Sequence, residues 1–347
     1  MQETFPDAQL LSLWNDAKGK YPDADETWLS RTPARQHKAL AIPGSILAWR
    51  QIRRERDPEW LLVSSHLFAH HIRIATAKTQ PPKFVYAHTP ARYIWAPELD
   101  GRGAHPSVRL ASVPLRQIDA RRAREATAFA ANSKFVQSRI ADTWGAAATV
   151  IHPPVRVEEM RAQRKRGLRL SPKESQQLRS LPSTFALGAS RFVPYKRLDW
   201  VISAAREANL PVVLAGAGPD EARLRQHAAA EGTTTYFVNR PSDELLFALY
   251  ERATVYAFPS VEDFGIMPVE AQVFGAPVAT TATGGALETI SPGLTGVPAE
   301  SDTLEAFAAA VLEAASLHEV PSWTTHLARF DQSRFSSELR QWMRANS

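Results

Sequence analysis

The chain has 347 residues, 44% of them hydrophobic, which is long enough for two domains of ordinary size. It contains no cysteine, and this excludes disulfides, thiolate metal sites and a thiol nucleophile. The formal charge of +5 divides into +12 over residues 1–180 and −7 over residues 181–347. A basic half beside an acidic half predicts two domains. The basic half could bind the phosphates of anionic lipid or of a phosphorylated acceptor. Nucleic acid is not expected as a partner, because no nucleic-acid motif accompanies the charge.

No apolar run approaches the length of a membrane span, and no secretory signal opens the chain, so we expect a cytoplasmic protein. Residues 34–56 carry a helical pattern that is interrupted at Pro43 and Gly44 and ends in a basic segment from Arg50 to Arg56. That segment is either a solvated helix face or a patch for peripheral association with the inner face of the membrane, which would suit a lipid-linked acceptor.

Residues 60–65 predict a buried strand, and the segment from His66 to Arg73 predicts a helix. The spacing of His66, His70 and His71 could suggest a metal site. Because no carboxylate lies in the same short segment, we interpret these side chains as surface or packing histidines and predict no metal site.

The next predicted strand, residues 84–87, ends at His88, and ligands bind at the carboxyl ends of strands in open α/β sheets. Residues 98–112 are predicted to form a loop, and residues 115–126 a basic helix. Residues 128–133 predict a strand, with Ser133 as the cap of the following helix. The charged residues 158–183 are interpreted as the connection between the two domains.

A strand over residues 185–190 leads into a loop that holds Arg191 and Lys196, five residues apart. Two such cations suit a diphosphate, although solvated surface is the ordinary role of basic loop residues. The strand from Val212 ends at a glycine turn with Gly216, and we interpret it as the wall of a nucleotide site. The strand over residues 234–238 ends shortly before Arg240.

The central stretch, residues 254–285, predicts a strand, a loop, a helix and a second strand. Pro268 suits the first helical turn, and Gly275 suits the position just past the helix end, where φ is positive. Glu262 is then placed in the loop and Glu270 in the first turn of the helix. The backbone N–H groups of residues 265–267 lie at the helix N-terminus, which is a site for an anion. Carboxylates beside an anion site suit a phosphate that carries hydroxyl-rich groups, because carboxylates accept hydrogen bonds from hydroxyls.

The run Glu-Asp-Phe-Gly-Ile-Met-Pro-Val-Glu-Ala, with seven residues between Glu262 and Glu270, resembles the paired-glutamate motif of retaining GT-B glycosyltransferases of family four. The likeness is strongest to the bacterial mannosyltransferases that build O-antigen and related polysaccharides. Residues 86–93 resemble that family's Tyr-x-His-Thr-Pro-x-Arg-Tyr motif, and residues 190–197 resemble its Gly-Arg-x-x-x-x-Lys-Arg element, with Ser190 where glycine is frequent. The likeness extends over nearly the whole chain from Phe5 onward.

This resemblance implies a hexosyltransferase that moves a sugar, with retention, from a nucleoside diphosphate donor to a glycan or a lipid-linked saccharide. The form of residues 193–197 points to GDP-mannose. The resemblance implies catalytic roles at the donor sugar and diphosphate for His88, Glu262, Arg191 and Lys196. It implies further donor-binding roles for Gly216, Arg240, Phe264, Gly265, Ile266, Met267 and Glu270, the last at the ribose. No metal or other cofactor is expected, because two fixed cations replace the metal.

The start of the chain departs from the family pattern. Family members have an earlier strand and a Gly-Gly loop before the segment that matches residues 5–8, and that element is missing here. Either the true start lies upstream or one central strand is lost. A non-catalytic nucleotide-sugar-binding subunit is therefore one alternative function, and another GT-B enzyme, such as a sugar-nucleotide epimerase or a phosphorylase, is a second.

The alternation of strands and helices in both halves predicts an α/β protein of the GT-B type, with two doubly wound Rossmann-like domains facing a cleft. We predict an N-terminal acceptor-side domain over residues 1–170 and a nucleotide-sugar-binding domain over residues 171–325. Residues 326–347 are predicted to form a C-terminal helix that packs back on the first domain.

Overall fold

The computed structural model describes residues 1–17, 19–35, 41–95 and 106–347. The chain divides into two compact units: the first unit is residues 1–151 with residues 336–347, and the second unit is residues 152–335. Sequence patterns placed the divisions at residues 170 and 325. The segment 158–183 lies within the second unit, because two of its apolar side chains, Met160 and Leu181, are buried in that unit's core.

The first unit contains two parallel sheets. Strands β1 and β2 pair with each other, and β3 to β6 form a four-stranded sheet in sequential order. Its elements are β1 (Leu11–Ser12), β2 (Asp25–Glu26), α1 (Ala41–Arg50), β3 (Leu61–Ser65), β4 (Lys83–Ala87), α2 (Arg92–Trp95), α3 (Pro106–Ala123), β5 (Ala128–Ala131), α4 (Lys134–Trp144) and β6 (Ala148–Val150).

Strand β4 is buried along its whole length because strands flank it on both sides. The core around it includes Val85, Phe129, Val136 and Ile140. The predicted cap is confirmed: the Ser133 hydroxyl accepts a hydrogen bond from the N–H of Val136 at 3.0 Å, which satisfies one free donor at the start of α4.

Several helix predictions in the first unit are wrong in their bounds. Helix α1 runs through Pro43 and Gly44, and residues 51–56 are not helical. The segment from His66 to Arg73 contains only a short 3-10 turn, Ala69–His71. Residues 106–112, predicted as loop, begin α3, while residues 98–105 of that prediction lie outside the described residues.

The second unit holds a six-stranded parallel sheet in the order β12-β11-β10-β7-β8-β9. Its elements are α5 (Val157–Arg166), α6 (Pro172–Ser180), β7 (Ala186–Arg191), α7 (Leu198–Glu207), β8 (Val212–Ala217), α8 (Glu221–Glu231), β9 (Thr235–Asn239), α9 (Asp243–Arg252), β10 (Val255–Phe258), α10 (Ile266–Val273), β11 (Val278–Thr280), β12 (Gly296–Pro298), α11 (Leu304–Ala314) and α12 (Ser322–Ala328). The chain winds outward from β7 to β9 and then returns to β10 on the other side of β7. The order of strands therefore reverses between β7 and β10, and this doubly wound arrangement creates a crevice at the carboxyl ends of those two strands.

Helix α13 (Gln332–Ala345) ends the chain, and its residues from Ser336 onward belong to the first unit. The Trp342 ring meets the Phe84 ring edge-on at 5.6 Å between centroids. The Arg340 guanidinium donates to the Thr4 carbonyl at 2.7 Å. These contacts attach the C-terminal helix to the first unit. Among the described residues, no helix combines the length and the apolar character that crossing a bilayer requires.

Candidate functional site

The predicted phosphate-binding cations lie at the strand-order reversal of the second unit. Arg191 is the last residue of β7, and Lys196 ends a 3-10 turn, Pro194–Lys196, that follows. Strand β10 ends at Phe258, and the loop after it carries Glu262. Since β7 and β10 are adjacent and parallel, both loops emerge at the same edge of the sheet.

Lys196 and Glu262 form an ion pair across these two loops. The Lys196 Nζ donates to Glu262 Oε1, and the two side chains are 13% and 20% exposed. The Ser260 hydroxyl donates to the Lys196 carbonyl at 3.2 Å, so a second bond joins the loops. The pair is therefore held by the backbone on both sides and is largely shielded from water.

Arg191 has a different kind of partner. One of its guanidinium nitrogens donates to the Tyr195 hydroxyl at 2.9 Å, and the Tyr195 ring is 38% exposed. Within the described part of the chain, Arg191 forms no ion pair with a carboxylate. Its positive charge is thus oriented by a neutral phenol and remains uncompensated at the edge of the sheet.

The loop that leads into α10 is fixed by close backbone packing. Gly265 precedes the helix with φ of 147°, a conformation that favours glycine. The N–H of Gly285 donates to the Glu262 carbonyl at 2.7 Å, and a Cβ on Gly285 would lie 2.1 Å from the Asp263 carbonyl oxygen. This packing places the first N–H groups of α10 beside Glu262, in the neighbourhood that the sequence predicted for an anion.

The side chains around this helix start differ in their availability. Ile266 is 48% exposed, and Met267 is partly buried. The Phe264 ring is buried, with the rings of His152 and Phe330 at 5.6 and 5.7 Å. Phe264 therefore serves the packing of the second unit, and its side chain is not available to a ligand.

Glu270 is the fifth residue of α10, so it lies in the second turn and not in the first turn as predicted. It is largely buried. Burial, followed by repulsion from Asp243, raises the pKa of Glu270 to about 7, and the neighbouring Tyr250 phenol opposes this rise. Near neutral pH, the Glu270 carboxyl group is consequently divided between its protonated and charged forms.

We expect Glu270→Gln to stabilise the fold at about pH 8 and to weaken donor binding there. Between pH 4.5, the ordinary pKa, and about pH 7, the pKa in the folded protein, Glu270 is protonated in the folded state and charged in the unfolded state. The free energy of unfolding therefore falls as pH rises through this window. Above the window the buried charge costs up to about 3 kcal/mol, since one pKa unit corresponds to about 1.4 kcal/mol. Glu270→Gln should not lose stability in this way as pH rises. The affinity of the wild type for the predicted nucleotide-sugar donor should increase as pH passes 7, and the affinity of the variant should not.

Thermal unfolding and donor titration at about pH 5 and about pH 8 measure both effects. Glu251→Gln, a change of the same kind at an exposed residue of α9, is the control. Equal pH dependence of unfolding in the wild type and in Glu270→Gln would contradict the assignment.

Gly216 and Arg240 lie side by side at the ends of β8 and β9. The N–H of Arg240 donates to the Gly216 carbonyl at 3.1 Å. Gly216 has φ of 144°, and a Cβ there would meet the Ser190 carbonyl oxygen at 1.8 Å. Arg240 has φ of 49° without being glycine, a strained conformation that presents its backbone at the edge of the sheet.

His88 lies in the first unit, directly after β4. Its ring Nε2 is 2.8 Å from the Ser64 hydroxyl, and its backbone N–H donates a hydrogen bond to the Ser65 carbonyl at 2.7 Å. Burial, followed by the neighbouring His66, lowers the pKa of His88 to about 4. The imidazole is therefore neutral at pH 7 and can exchange hydrogen bonds with a polar ligand without carrying charge.

His70 and His71 are fully buried beside Asp119, a carboxylate that comes from α3. The two Nε2 atoms lie 3.1 and 2.9 Å from Asp119 Oδ1. The indole N–H groups of Trp95 and Trp144 donate to Oδ2 at 2.8 and 2.7 Å. Burial opposes the charge on Asp119, but the hydrogen bonds from the histidines hold its pKa well below the ordinary range. The chemistry of this cluster is that of a hydrogen-bonded carboxylate hub, because protein donors face both oxygens; it lies outside the predicted site.

Four side chains of these networks were not predicted from the sequence. Each of them contacts a residue that is distant in sequence or is brought close only by the geometry of a turn. They are Tyr195, Ser260, Ser64 and Asp119. The signal for Ser64 was available in principle, because adjacent parallel strands that end together place it beside His88. The phenol of Tyr195 could have been suspected from its position between the two cations.

Comparison with known proteins identifies the second unit. Residues 172–322 match the family "Glycosyl transferases group 1". The GDP-mannose-dependent alpha-(1-6)-phosphatidylinositol monomannoside mannosyltransferase of Mycolicibacterium smegmatis is 31% identical over 195 residues, which are 52% of this chain and 50% of the relative. The chain thus aligns with about half the length of the curated relatives that it matches first.

Two solved structures share the architecture. The lipopolysaccharide outer core galactosyltransferase WaaB superposes over 96% of this chain and 88% of its own with a TM-score of 0.65, at 14% identity. Anabaena HepE, in complex with UDP and glucose, superposes over 76% of this chain and 71% of its own with a TM-score of 0.55, at 20% identity. These likenesses confirm the predicted GT-B fold. The family match is confined to residues 172–322, within the second unit.

Proposed function

We propose that the protein is a retaining glycosyltransferase that moves a hexose from a nucleoside diphosphate sugar, with GDP-mannose favoured, to a glycan or lipid-linked saccharide. One observation carries the proposal. Arg191, Lys196 and Glu262 meet at the strand-order reversal of the second unit, beside the N-terminus of α10. This is where doubly wound sheets bind nucleotides.

The chemistry of sugar transfer explains the residue types. Negative charge accumulates on the leaving diphosphate while positive charge develops on the sugar ring, and preorganised charges opposite both lower the barrier. Arg191 offers a planar guanidinium, Lys196 offers a point charge, and the α10 N-terminus offers oriented N–H groups. Glu262 accepts hydrogen bonds from sugar hydroxyls, and Glu270 accepts them from the ribose.

His88 is a neutral polar group at the end of β4 in the first unit. Because its pKa is about 4, its ring can exchange hydrogen bonds with a sugar hydroxyl without carrying a charge. The edge-to-face contact with Tyr86, at 5.3 Å between centroids, restricts the orientation of the imidazole.

GDP-mannose is favoured because the Mycolicibacterium smegmatis relative is named as GDP-mannose-dependent and residues 193–197 resemble the mannosyltransferase form of their element. The HepE structure holds UDP, so the base must be tested directly. A thermal-shift panel of nucleoside diphosphates ranks the bases, because a ligand that binds only the folded state raises the unfolding temperature.

A lipid-linked acceptor fits a basic surface on the first unit. In the segment 50–56, Arg50 pairs with Glu125 and Arg54 pairs with Asp25, whereas Arg53 and Arg56 are exposed. Among the described residues, Arg53 and Arg56 form no ion pair, and exposed arginines supply a weak attraction to anionic lipid. Peripheral association at the inner face of the membrane is proposed on this basis.

Product analysis tests the proposed function. Incubation with GDP-mannose and a mannosylated lipid acceptor should yield free GDP and an elongated glycan, with the anomeric configuration of the donor preserved. Binding of donor without any transfer would favour a nucleotide-sugar-binding subunit. An altered nucleotide sugar without an elongated acceptor would favour an epimerase.

We expect donor binding to persist in excess EDTA. Arg191 and Lys196 supply the positive charge that a bound divalent ion supplies at other diphosphate sites, so no metal is required for affinity. Isothermal titration of GDP with and without EDTA measures this. Loss of affinity on chelation that magnesium restores would contradict the expectation.

A further inference from the structure

We propose, on the basis of the proposed function, that the Lys196–Glu262 ion pair lets the site discriminate between a sugar-bearing nucleoside diphosphate and the bare nucleoside diphosphate. The pair would thereby weaken binding of the product and favour its release. The inference rests on how the two site cations differ in their partners.

The ion pair is set by the backbone, not by two mobile surface chains. The Ser260 hydroxyl holds the Lys196 carbonyl, and the N–H of Gly285 holds the Glu262 carbonyl. Both side chains are at most one-fifth exposed. The carboxylate therefore cannot move far into water when its cation is taken by another anion.

Arg191 faces no such competition. Its observed partner is the neutral Tyr195 hydroxyl, which loses one hydrogen bond but gains no uncompensated charge if the guanidinium turns to a phosphate. An incoming diphosphate can thus engage Arg191 at little cost. A phosphate that binds Lys196 must either share that cation with the Glu262 carboxylate or displace the carboxylate from it.

The cost of that displacement depends on what the diphosphate carries. A partly buried carboxylate that has lost its cation is unfavourable unless other donors replace it. A sugar on the diphosphate brings hydroxyl donors to Glu262, as the proposed function requires. A bare nucleoside diphosphate brings no sugar hydroxyl to Glu262, so nothing in the ligand offsets the weakened ion pair, and it binds more weakly than its phosphates alone would allow.

Glu262→Gln isolates this effect because glutamine keeps the size of the side chain and removes its charge. We expect GDP to bind this variant about tenfold more tightly than the wild type, since about tenfold corresponds to one partly buried charge pair. GDP-mannose should bind no more tightly than to the wild type. The preference for the sugar-bearing ligand should therefore collapse.

Titration calorimetry of GDP and GDP-mannose should be run on the wild type, Glu262→Gln, Lys196→Met and the double variant. If the tightening acts through Lys196, it should disappear in the Lys196→Met background. Glu231→Gln is the matched control: it also removes a carboxylate from an ion pair, with Arg206, but at the end of α8 away from the strand carboxyl ends. That variant should bind GDP as the wild type does.

Two results would overturn the inference while leaving the proposed function intact. One is unchanged or weaker GDP binding by a folded Glu262→Gln protein. The other is tightening of equal size in the Lys196→Met background, which would indicate general charge repulsion and not the ion pair. Failure of the wild type to bind any nucleoside diphosphate in the panel would instead overturn the proposed function, and the inference with it.

Discussion

Lys196→Ala is expected to lower sugar transfer by about a hundredfold, with at least tenfold as the lower bound, because removing one preorganised donor to a developing negative charge has effects of this size. Lys196 is the cation nearest to Glu262, and the α10 N-terminus lies next to that carboxylate. No other lysine in the described residues occupies the loops at the ends of β7 and β10. Without Lys196, the charge that leaves with the diphosphate would lose one of its two proposed side-chain cations and keep Arg191 and the helix dipole.

Initial rates with saturating acceptor measure this loss, together with a thermal unfolding curve that shows the variant is folded. Lys173→Ala, at an exposed lysine of α6, is the control and should retain wild-type rates. Near-wild-type turnover by folded Lys196→Ala protein would remove Lys196 from the diphosphate site.

Asp119→Asn is expected to destabilise the first unit by about 3 kcal/mol or more, as breaking a buried, hydrogen-bonded charge network does. The Asp119 carboxylate receives hydrogen bonds from two indole groups and lies within 3.1 Å of two imidazole nitrogens. An amide keeps the volume but turns one acceptor into a donor. If the new NH₂ group faces the two indoles, it meets N–H donors that it cannot satisfy; if it faces the imidazoles, both histidines must change tautomer to accept from it.

Urea unfolding followed by tryptophan fluorescence suits this test, because Trp95 and Trp144 contact the altered group. A protein with two units need not unfold in one step, so the change should appear in one transition and spare the other. Asp142→Asn, at an exposed residue of α4, is the control. A shift below about 1 kcal/mol, the scale of a surface substitution, would show that the hub contributes little.

The second unit could be predicted closely because its signals are local. Gly275 has φ of 89° just past the end of α10, as the requirement for positive φ at that position predicted. The buried strands β7, β8 and β10 follow from short apolar runs bounded by turn residues. The capping box of α6, in which the Ser171 and Glu174 side chains each accept a hydrogen bond from the other residue's backbone N–H, was present in the sequence, but the segment was interpreted as a connection between domains.

The misjudged elements depend on contacts between distant residues. The segment from His66 to Arg73 has a helical pattern, yet Asp119 binds His70 and His71 from 48 or more positions away and turns them inward. No local pattern could reveal that partner. The pKa of Glu270 likewise depends on Asp243 and Tyr250, which come from α9. Its place in the second turn depends on the residue at which α10 begins.

The candidate site also combines features that the sequence predicted with features that it did not. Motif spacing and the family resemblance singled out Arg191, Lys196, Glu262 and Glu270. Lys196 and Glu262 lie after β7 and β10 as expected, whereas Arg191 ends β7 and Glu270 lies one turn later in α10 than expected. The pairing of Lys196 with Glu262 and of Arg191 with Tyr195 did not follow from spacing. Such pairings arise from side-chain packing between loops, which has no periodic signature in the sequence.

A crystal structure of the protein with GDP-mannose tests the central claim most directly. The account predicts that the diphosphate contacts Arg191, Lys196 and the first N–H groups of α10, while Glu262 accepts a hydrogen bond from a mannose hydroxyl. A nucleotide bound at any other edge of the second unit, with these four groups untouched, would contradict it.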